Sequence, residues 1–514
     1  MLNRRDFIKN SAILGASGMF SPSMLLGNDG KSFSDYKALV VVYLDGGNDG
    51  VNTFIPISSG NDEFGFNAYH AARVPVAVEN VDLGDKLKNA MDGNGYLNLS
   101  KKDGNIYFRK QDSEYNYQTG FYAHNKGYDK NKNPLNLNFG NKIGTHGYMP
   151  EIANMLNQGK VAVIQNVGNL HKPTTRQDIL DSTAILPPFL MAHDHQSTLA
   201  FTGNSMVVRD YGLMGKLADA WYGINGNSIY GSNIAFYSRC QMLYGNKTTP
   251  LVLGSNGMSK FDASNYDYTD YYDLMSWSRK DNWKRYYNKL HKHSFDAANK
   301  IDADWKSYSS IYDNLTNSYG EPLKNKTADE DASMSHAGIG NWEPNFIGAA
   351  KAISIGHDSG LKRQVIYLRL ASFDTHGRQR RYHGYYLRGL SLAIDKFQKI
   401  IDSQGLSDKV TLMTISDFGR SVGANVDGTD HAWGNHLFVV GGAVKGGLYG
   451  KAPSLKLGGE DDMSNKGRLI PTTSMAQYYN TVLKWFGADE SLRESLLPDL
   501  QNFDQSSWDL GFMS

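Results

Sequence analysis

Cysteine is almost missing: Cys240 is the sole one among 514 residues. No intrachain disulfide and no Cys-based zinc cluster can therefore form, and a lone thiol reads most simply as a small buried hydrophobe. An excess of charge is missing too, with 53 Lys and Arg against 52 Asp and Glu. Such a balance creates no strong field, so neither nucleic acid nor an anionic membrane is expected as a partner. Beyond the N-terminus no apolar run reaches membrane-spanning length, and no transmembrane segment is expected in the mature chain. Tyrosine, by contrast, is plentiful, with 31 copies on a background of 40% hydrophobic and 20% charged residues. That composition is globular, with a polar, aromatic-rich surface common in exported proteins and in those that meet carbohydrate. The length allows one large core or two ordinary ones.

The N-terminus reads as an address. "NRRDFIKNSAILGASGMF" has an Arg pair, Arg4 and Arg5, then Phe7, Ile8 and Lys9, then a short apolar stretch rich in Gly and Ser. It resembles a twin-arginine export signal, with Asn3 in the Ser/Thr position and Ile8 in the Leu position. Residues 1–30 are expected to be that signal, which implies a twin-arginine translocase as the export partner and a periplasmic or extracellular destination. No Ala-x-Ala site marks the cleavage point, and no Cys follows the apolar run to take a lipid.

Four stretches read as buried parallel strands: "ALVVVYL" (38–44), "KVAVIQNV" (160–167), "QVIYLRL" (364–370) and "KVTLMTI" (409–415), with "HLFVVGGAV" (436–444) as a fifth. Helical spacing appears over 147–160, over 384–405, where Leu387, Leu390, Ile394, Phe397 and Ile401 share a face, and over 472–487 after a Thr cap. The expected fold is α/β, a mostly parallel central sheet flanked by helices, in a single domain over 31–514. Residues 58–145 and 240–345 break the alternation and are read as insertions forming a cap. The Tyr- and Trp-rich helices of 266–311 read as packed cap rather than as a sugar-binding face, and "HKH" at 291–293 as solvated.

In open α/β sheets, ligands bind beyond the carboxyl ends of the strands. The first strand runs into "DGGNDG", with Asp45 and Asp49; the third into Asp374 and His376; the fourth into Asp417. "GTDHAWGNH" then adds Asp430, His431 and His436, and "AHDHQS" could add His193 or His195. Each has a plain alternative: a tight turn at Gly, a helix N-cap, or a solvated loop. Gathered at one edge, however, these acids and imidazoles would suit a divalent metal, with Zn, Mn and Ca all open. After the second strand, "HKPTTRQD" looks like a helix start, where Thr174 or Thr175 could serve as nucleophile and Arg176 as oxyanion clamp. Capping alone also explains a Thr there.

The stretches "VVYLDGGNDGVNTFIP", "PTTRQDILDSTAILPPFLMAHDHQS", "FDTHGRQ", "SDFGRSVGANVDGTDHAWGNHLFVVGGAVKGGLYG" and "GRLIPTTSMAQYYNTVLKWFG" resemble the exported bacterial family named domain of unknown function 1501. That family in turn resembles the alkaline phosphatase and sulfatase superfamily. The resemblance implies an alkaline phosphatase-like fold, with Asp45 or Asp49 and Asp417 at one metal and Asp374, His376 and a later His at another. Phe418 stands where a ligand His would, and "HKPTTR" lacks the Cys that a true sulfatase converts. The expected function is an exported, metal-dependent hydrolase of a phosphate or sulfate ester, small or polysaccharide. The alternative is a non-catalytic periplasmic or cell-surface binding protein that keeps the fold.

Overall fold

A computed structural model describes residues 32–56, 63–77, 126–128, 134–136, 138–139, 143–146, 149–226, 228–236, 240–258, 282–316, 322–323 and 342–514. The export signal expected over 1–30 lies outside them, as does most of the insertion expected over 58–145. The fold is α/β, with a large, mostly parallel central sheet flanked by helices, as the strand pattern predicts. Among the described residues no helix is long and apolar enough to cross a membrane.

In chain order the elements used below are β1 (Lys37–Leu44), α1 (Gly50–Thr53), β2 (Phe54–Pro56), α2 (Phe66–Arg73), β3 (Ile143–Thr145), α3 (Pro150–Asn157), β4 (Val161–Gly168), α4 (Arg176–Leu180) and α5 (His193–Thr202). Next come α6 (Leu213–Ala220), β5 (Asn233–Phe236), β6 (Leu251–Leu253), α7 (Asn282–Ser307), α8 (Trp342–Asp358), β7 (Arg363–Leu370), α9 (Gln379–Ser403) and β8 (Val410–Ser416). The chain ends with β9 (Arg420–Ala424), β10 (Thr429–His431), β11 (Asn435–Gly441), β12 (Gly447–Tyr449), β13 (Thr473–Ser474), α10 (Met475–Phe486) and α11 (Glu490–Leu496).

The chain divides into two compact units. The smaller comprises Met1–Ala38, Tyr211–Ile311 and Gly348–Tyr367. Its strands run β7-β5-β6, all parallel. There α7 is anchored by Tyr230, whose hydroxyl donates to Asp304 at 2.8 Å, and by Trp305, whose Nε1 donates to the Ser255 carbonyl at 3.2 Å.

The larger unit comprises Leu39–Asp210, Tyr312–Ile347 and Leu368–Ser514. Its strands run β12-β4-β11-β8-β1, with β13 also beside β4. Every residue of β4, β8 and β11 is buried, which is why these strands read as continuous apolar runs rather than alternating ones. β11 is antiparallel to both β4 and β8, so its first residues, not its last, lie with the ends of β4 and β8. That reversal carries the 430–436 segment to the carboxyl edge, which the parallel reading of the sheet reaches by a different route.

Helix boundaries moved for identifiable reasons. α9 begins at Gln379, five residues before the expected start at 384, and the Gln379 side chain there donates to Asp49 and accepts from Thr429. α10 is capped by Ser474, not by a Thr: Ser474 and Gln477 form a capping box, while Thr473 pairs with β4. α3 carries Pro150 at its first position, where the missing N–H costs nothing.

The loop from β8 into β11 crosses itself closely. Gly419 N–H donates to the Trp433 carbonyl at 3.2 Å, and a Cβ on Gly419 would collide with the Gly434 carbonyl. Both partners are backbone and cannot swing aside. Gly419→Ala is therefore expected to cost about 3 kcal/mol, seen as a lowered thermal midpoint. An unchanged midpoint would show that this crossing yields.

Candidate functional site

The loops that leave β1, β7 and β8 and the hairpin β9–β10 meet in the larger unit around one buried side chain, Arg420. Its Nε donates to the Gly47 carbonyl at 2.8 Å, and its Nη2 to the Gly46 carbonyl at 2.7 Å. Nη1 donates to the Thr429 carbonyl at 3.0 Å, and Nη2 also bonds the Asp374 carboxylate. The Arg420 side chain is 0% exposed, and Asp374 is 43% exposed. Burial lowers the Arg420 pKa, and burial alone would raise that of Asp374. The guanidinium beside Asp374 outweighs that tendency and holds its carboxyl below the usual carboxylate range.

Three imidazoles converge on Asp374. His193, the first residue of α5, comes within 3.6 Å of Asp374 Oδ2 through its Nε2. His431, at the end of β10, places Nε2 3.2 Å from Asp374 Oδ1. His376 places its Nε2 3.1 Å from the same oxygen. The His431 Nε2 lies 3.1 Å from that of His193 and 2.9 Å from that of His376.

The far nitrogens fix what these Nε2 atoms carry. His431 Nδ1 faces the Met191 carbonyl at 2.9 Å and must donate to it, which leaves a lone pair on Nε2 of the neutral ring. His193 Nδ1 faces Asp417 Oδ2 at 2.5 Å and donates likewise. Asp417 is buried, and its other oxygen accepts from Tyr43 Oη at 2.5 Å and from Gly46 N–H at 3.2 Å. The hydrogen bond that His193 gives to Asp417 raises the His193 pKa against the cost of burial; burial lowers that of His431. Two imidazole lone pairs 3.1 Å apart repel unless a proton or a cation lies between them. Atoms gathered around one zinc-sized ion stand roughly 3.4 Å apart, close to the separations seen here. His193, Asp374 and His431 thus form a group that could hold a metal ion, with the carboxylate–histidine support from Asp417 that metal-binding imidazoles commonly use.

Other sequence-predicted residues have other occupations. Asp430 lies 3.5 Å from His376 Nδ1, at the margin. Asp417 is brought to the cluster, though behind His193 rather than facing the convergent atoms. Asp49 is not brought to it: it is fully buried, caps α1 and pairs with Arg73 at 3.0 Å. Burial alone would raise its pKa, but Arg73 holds it below the usual range. Asp45 bonds Arg369 Nε at 2.7 Å. His436 is buried, and its Nδ1 accepts from Asn166 N–H at 3.1 Å. Thr175 caps α4 in a box with Asp178, and Thr174 Oγ1 donates to the Lys172 carbonyl at 3.0 Å. Arg176 bonds the carbonyl of Asp462, the carbonyl of Gly459 at 3.4 Å and Asn465 Oδ1 at 2.5 Å, and so braces the 459–465 loop. Phe418 packs its ring against His193 and His431, at 4.8 Å and 4.6 Å between centroids. It also lies against Gly47, where a Cβ would come within 2.5 Å of the ring.

Arg420 and Tyr43 are the residues bonded into this cluster that sequence reasoning passed over, and His193 entered it only as an addition. An Arg three residues beyond a strand-end acid is a usable signal; for Tyr43, inside an apolar run, there is none.

The family described as protein of unknown function (DUF1501) matches residues 269–477, and this is the family that the sequence motifs resemble. The match spans Asp374, His376, Asp417, Arg420 and His431, but not His193. No curated protein matches. Among solved structures, the chain is similar to the phosphonate monoester hydrolase SpPMH from Silicibacter pomeroyi, with 9% identity over 68% of this chain and 72% of that one, at a TM-score of 0.27. It is similar to the PsFucS1 sulfatase from Pseudoalteromonas sp., with 12% identity over 71% and 66% of the two chains and a TM-score of 0.28. A protein from a glycosaminoglycan-metabolism locus of Bacteroides thetaiotaomicron matches with 10% identity over 90% and 74%, at a TM-score of 0.29.

Two buried imidazoles beside this region set a pH dependence. Burial pushes His383 and His436 each down to about 4. Their folded values lie below the unfolded value, so between these the unfolded chain binds more protons and stability falls as pH drops. The loss begins near pH 6.5 and is complete below about 4, at roughly 3 kcal/mol per group. His383 Nε2 donates to Asn48 Oδ1 at 2.9 Å, a bond that the His383→Gln amide can replace. That variant is expected to flatten the fall in thermal midpoint between pH 6.5 and 4.5; an unchanged slope would assign the acid sensitivity elsewhere.

Proposed function

We propose that the protein is an exported, metal-dependent hydrolase of a phosphate or sulfate ester. The observation that carries this reading is the meeting of the His193 and His431 Nε2 atoms with the Asp374 carboxylate at the carboxyl edge of the sheet. His193, Asp374 and His431 would hold a divalent ion. When bound, such an ion supplies Lewis acidity toward the ester oxygen and acidifies water. Asp417 orients His193 through Nδ1, and Tyr43 and the Gly46 amide fix Asp417 in turn. Arg420 locks Asp374 and, being committed to backbone carbonyls, is not free to clamp an anion. His376 is 46% exposed and close to Asp430. It is placed to hold or pass a proton at the rim of the site. Export by the twin-arginine route, to the periplasm or beyond, belongs to the same reading, since that route delivers folded proteins with cofactors in place.

One observation favours the second reading, a binding protein without turnover. Thr174 and Thr175 are engaged in local hydrogen bonds and Arg176 braces the 459–465 loop, so none of these three is offered to the cluster. Metal analysis and hydrolysis assays on protein exported by its own signal separate the two. The hydrolase reading expects about one divalent ion per chain, lost in His193→Ala and Asp374→Ala, with cleavage of aryl phosphate or sulfate esters lowered at least a hundredfold by either change. Bound metal without cleavage would leave the binding reading. Absence of metal from the exported protein would end the hydrolase reading.

A further inference from the structure

A cavity of about 450 Å³ opens in the larger unit beside β2, β4, β11 and β12 and shares no residue with the Asp374 cluster. Its described walls are apolar: Phe54, Phe64, Ile143, Leu448 and Leu455. Two polar side chains interrupt them, His436 and Gln165, which are 4% and 8% exposed.

A register irregularity puts both there. β11 pairs with β4 at Asn435–Val167 and again at Leu437–Ile164, so two residues of β4, Gln165 and Asn166, stand opposite the single residue His436. Asn166 takes up the extra length in the left-handed region, at φ 52°. Its N–H then donates to His436 Nδ1 at 3.1 Å. A neutral imidazole that accepts at Nδ1 carries its proton on Nε2. Burial keeps the ring neutral, with its pKa pushed down to about 4. Among the described residues no protein group meets that Nε2–H or the Gln165 side-chain amide, although both belong to buried residues. Buried polar groups are as a rule satisfied, and a donor and an amide left open on an apolar cavity expect a partner within it.

No charged side chain is among the described lining residues. A carboxylate, phosphate or sulfate entering there would shed its hydration without a counter-charge, which is costly. We propose that this cavity binds a neutral, mostly apolar small molecule bearing a carboxamide-type group, whose carbonyl accepts from His436 Nε2–H while its N–H donates to Gln165 Oε1. An ether, which can only accept, would leave Gln165 Oε1 unmatched, whereas a planar amide meets the donor and the acceptor with separate atoms. The volume falls in the range of small-molecule sites.

The test is ligand-observed saturation-transfer NMR on the full chain, with benzamide as probe and its near-isostere benzoate as the charged control. Ala452, half-buried in the cavity wall, gives the blocking variant, Ala452→Trp, and His436→Phe removes the donor. Benzamide at about 10 mM is expected to give a transfer signal that falls roughly tenfold in Ala452→Trp, while benzoate gives none. If His436→Phe does not fold, Ala452→Trp carries the test alone, provided that its thermal midpoint matches the parent. No benzamide signal, an equal signal in folded Ala452→Trp, or benzoate binding as well as benzamide would each overturn the proposal.

Discussion

A buried guanidinium organises the site. Arg420 gives hydrogen bonds to the carbonyls of Gly46, Gly47 and Thr429 and to the Asp374 carboxylate, and so joins the loops after β1 and β7 to the β9–β10 hairpin. A carbonyl cannot follow its partner into solvent, so these loops are held in register with one another. Two glycines permit the approach: Gly46 and Gly47 sit at φ 115° and 78°, and a Cβ on either would meet the Asp374 backbone or the Phe418 ring. The "DGGNDG" turn is thus a turn in the plain sense, and what it turns around is Arg420.

With those loops fixed, His193 and His431 face each other across Asp374 because their far nitrogens are already spoken for. Asp417 takes one and the Met191 carbonyl takes the other. Phe418 lies under both rings as an apolar floor. On the sequence resemblance a metal ligand is expected at Asp417, with Phe418 where a ligand His would stand. Asp417 stands behind His193 of α5, and the Phe418 ring packs against His193 and His431. The groups that converge are one carboxylate and two imidazoles, with His376 at the rim.

Much of the fold was legible because burial on both faces leaves a strand mostly apolar, as in β1, β4 and β8. Their order in the sheet and the antiparallel course of β11 were not, since neither is a local property. At the site, Asp374, His376 and His431 could be read from their nearness to strand ends. Asp49 has the same local signature, yet its partner is Arg73, 24 residues away, and no spacing rule forecasts that pair. Thr175 and Arg176 looked like a nucleophile and a clamp because helix starts favour both anions and caps. Asp178, three residues on, decides for the cap. His193 lies 224 residues from Asp417, and only coordinates bring those two together.

The central claim is that His193, Asp374 and His431 share one cation. Crystals of the full chain grown with zinc or manganese, with data collected on either side of the metal's absorption edge, test it without reference to activity. The account predicts an anomalous peak about 2.1 Å from Nε2 of His193, from Nε2 of His431 and from a carboxylate oxygen of Asp374. An empty position there in a metal-containing crystal, with the two imidazoles still in hydrogen-bond contact, would contradict it.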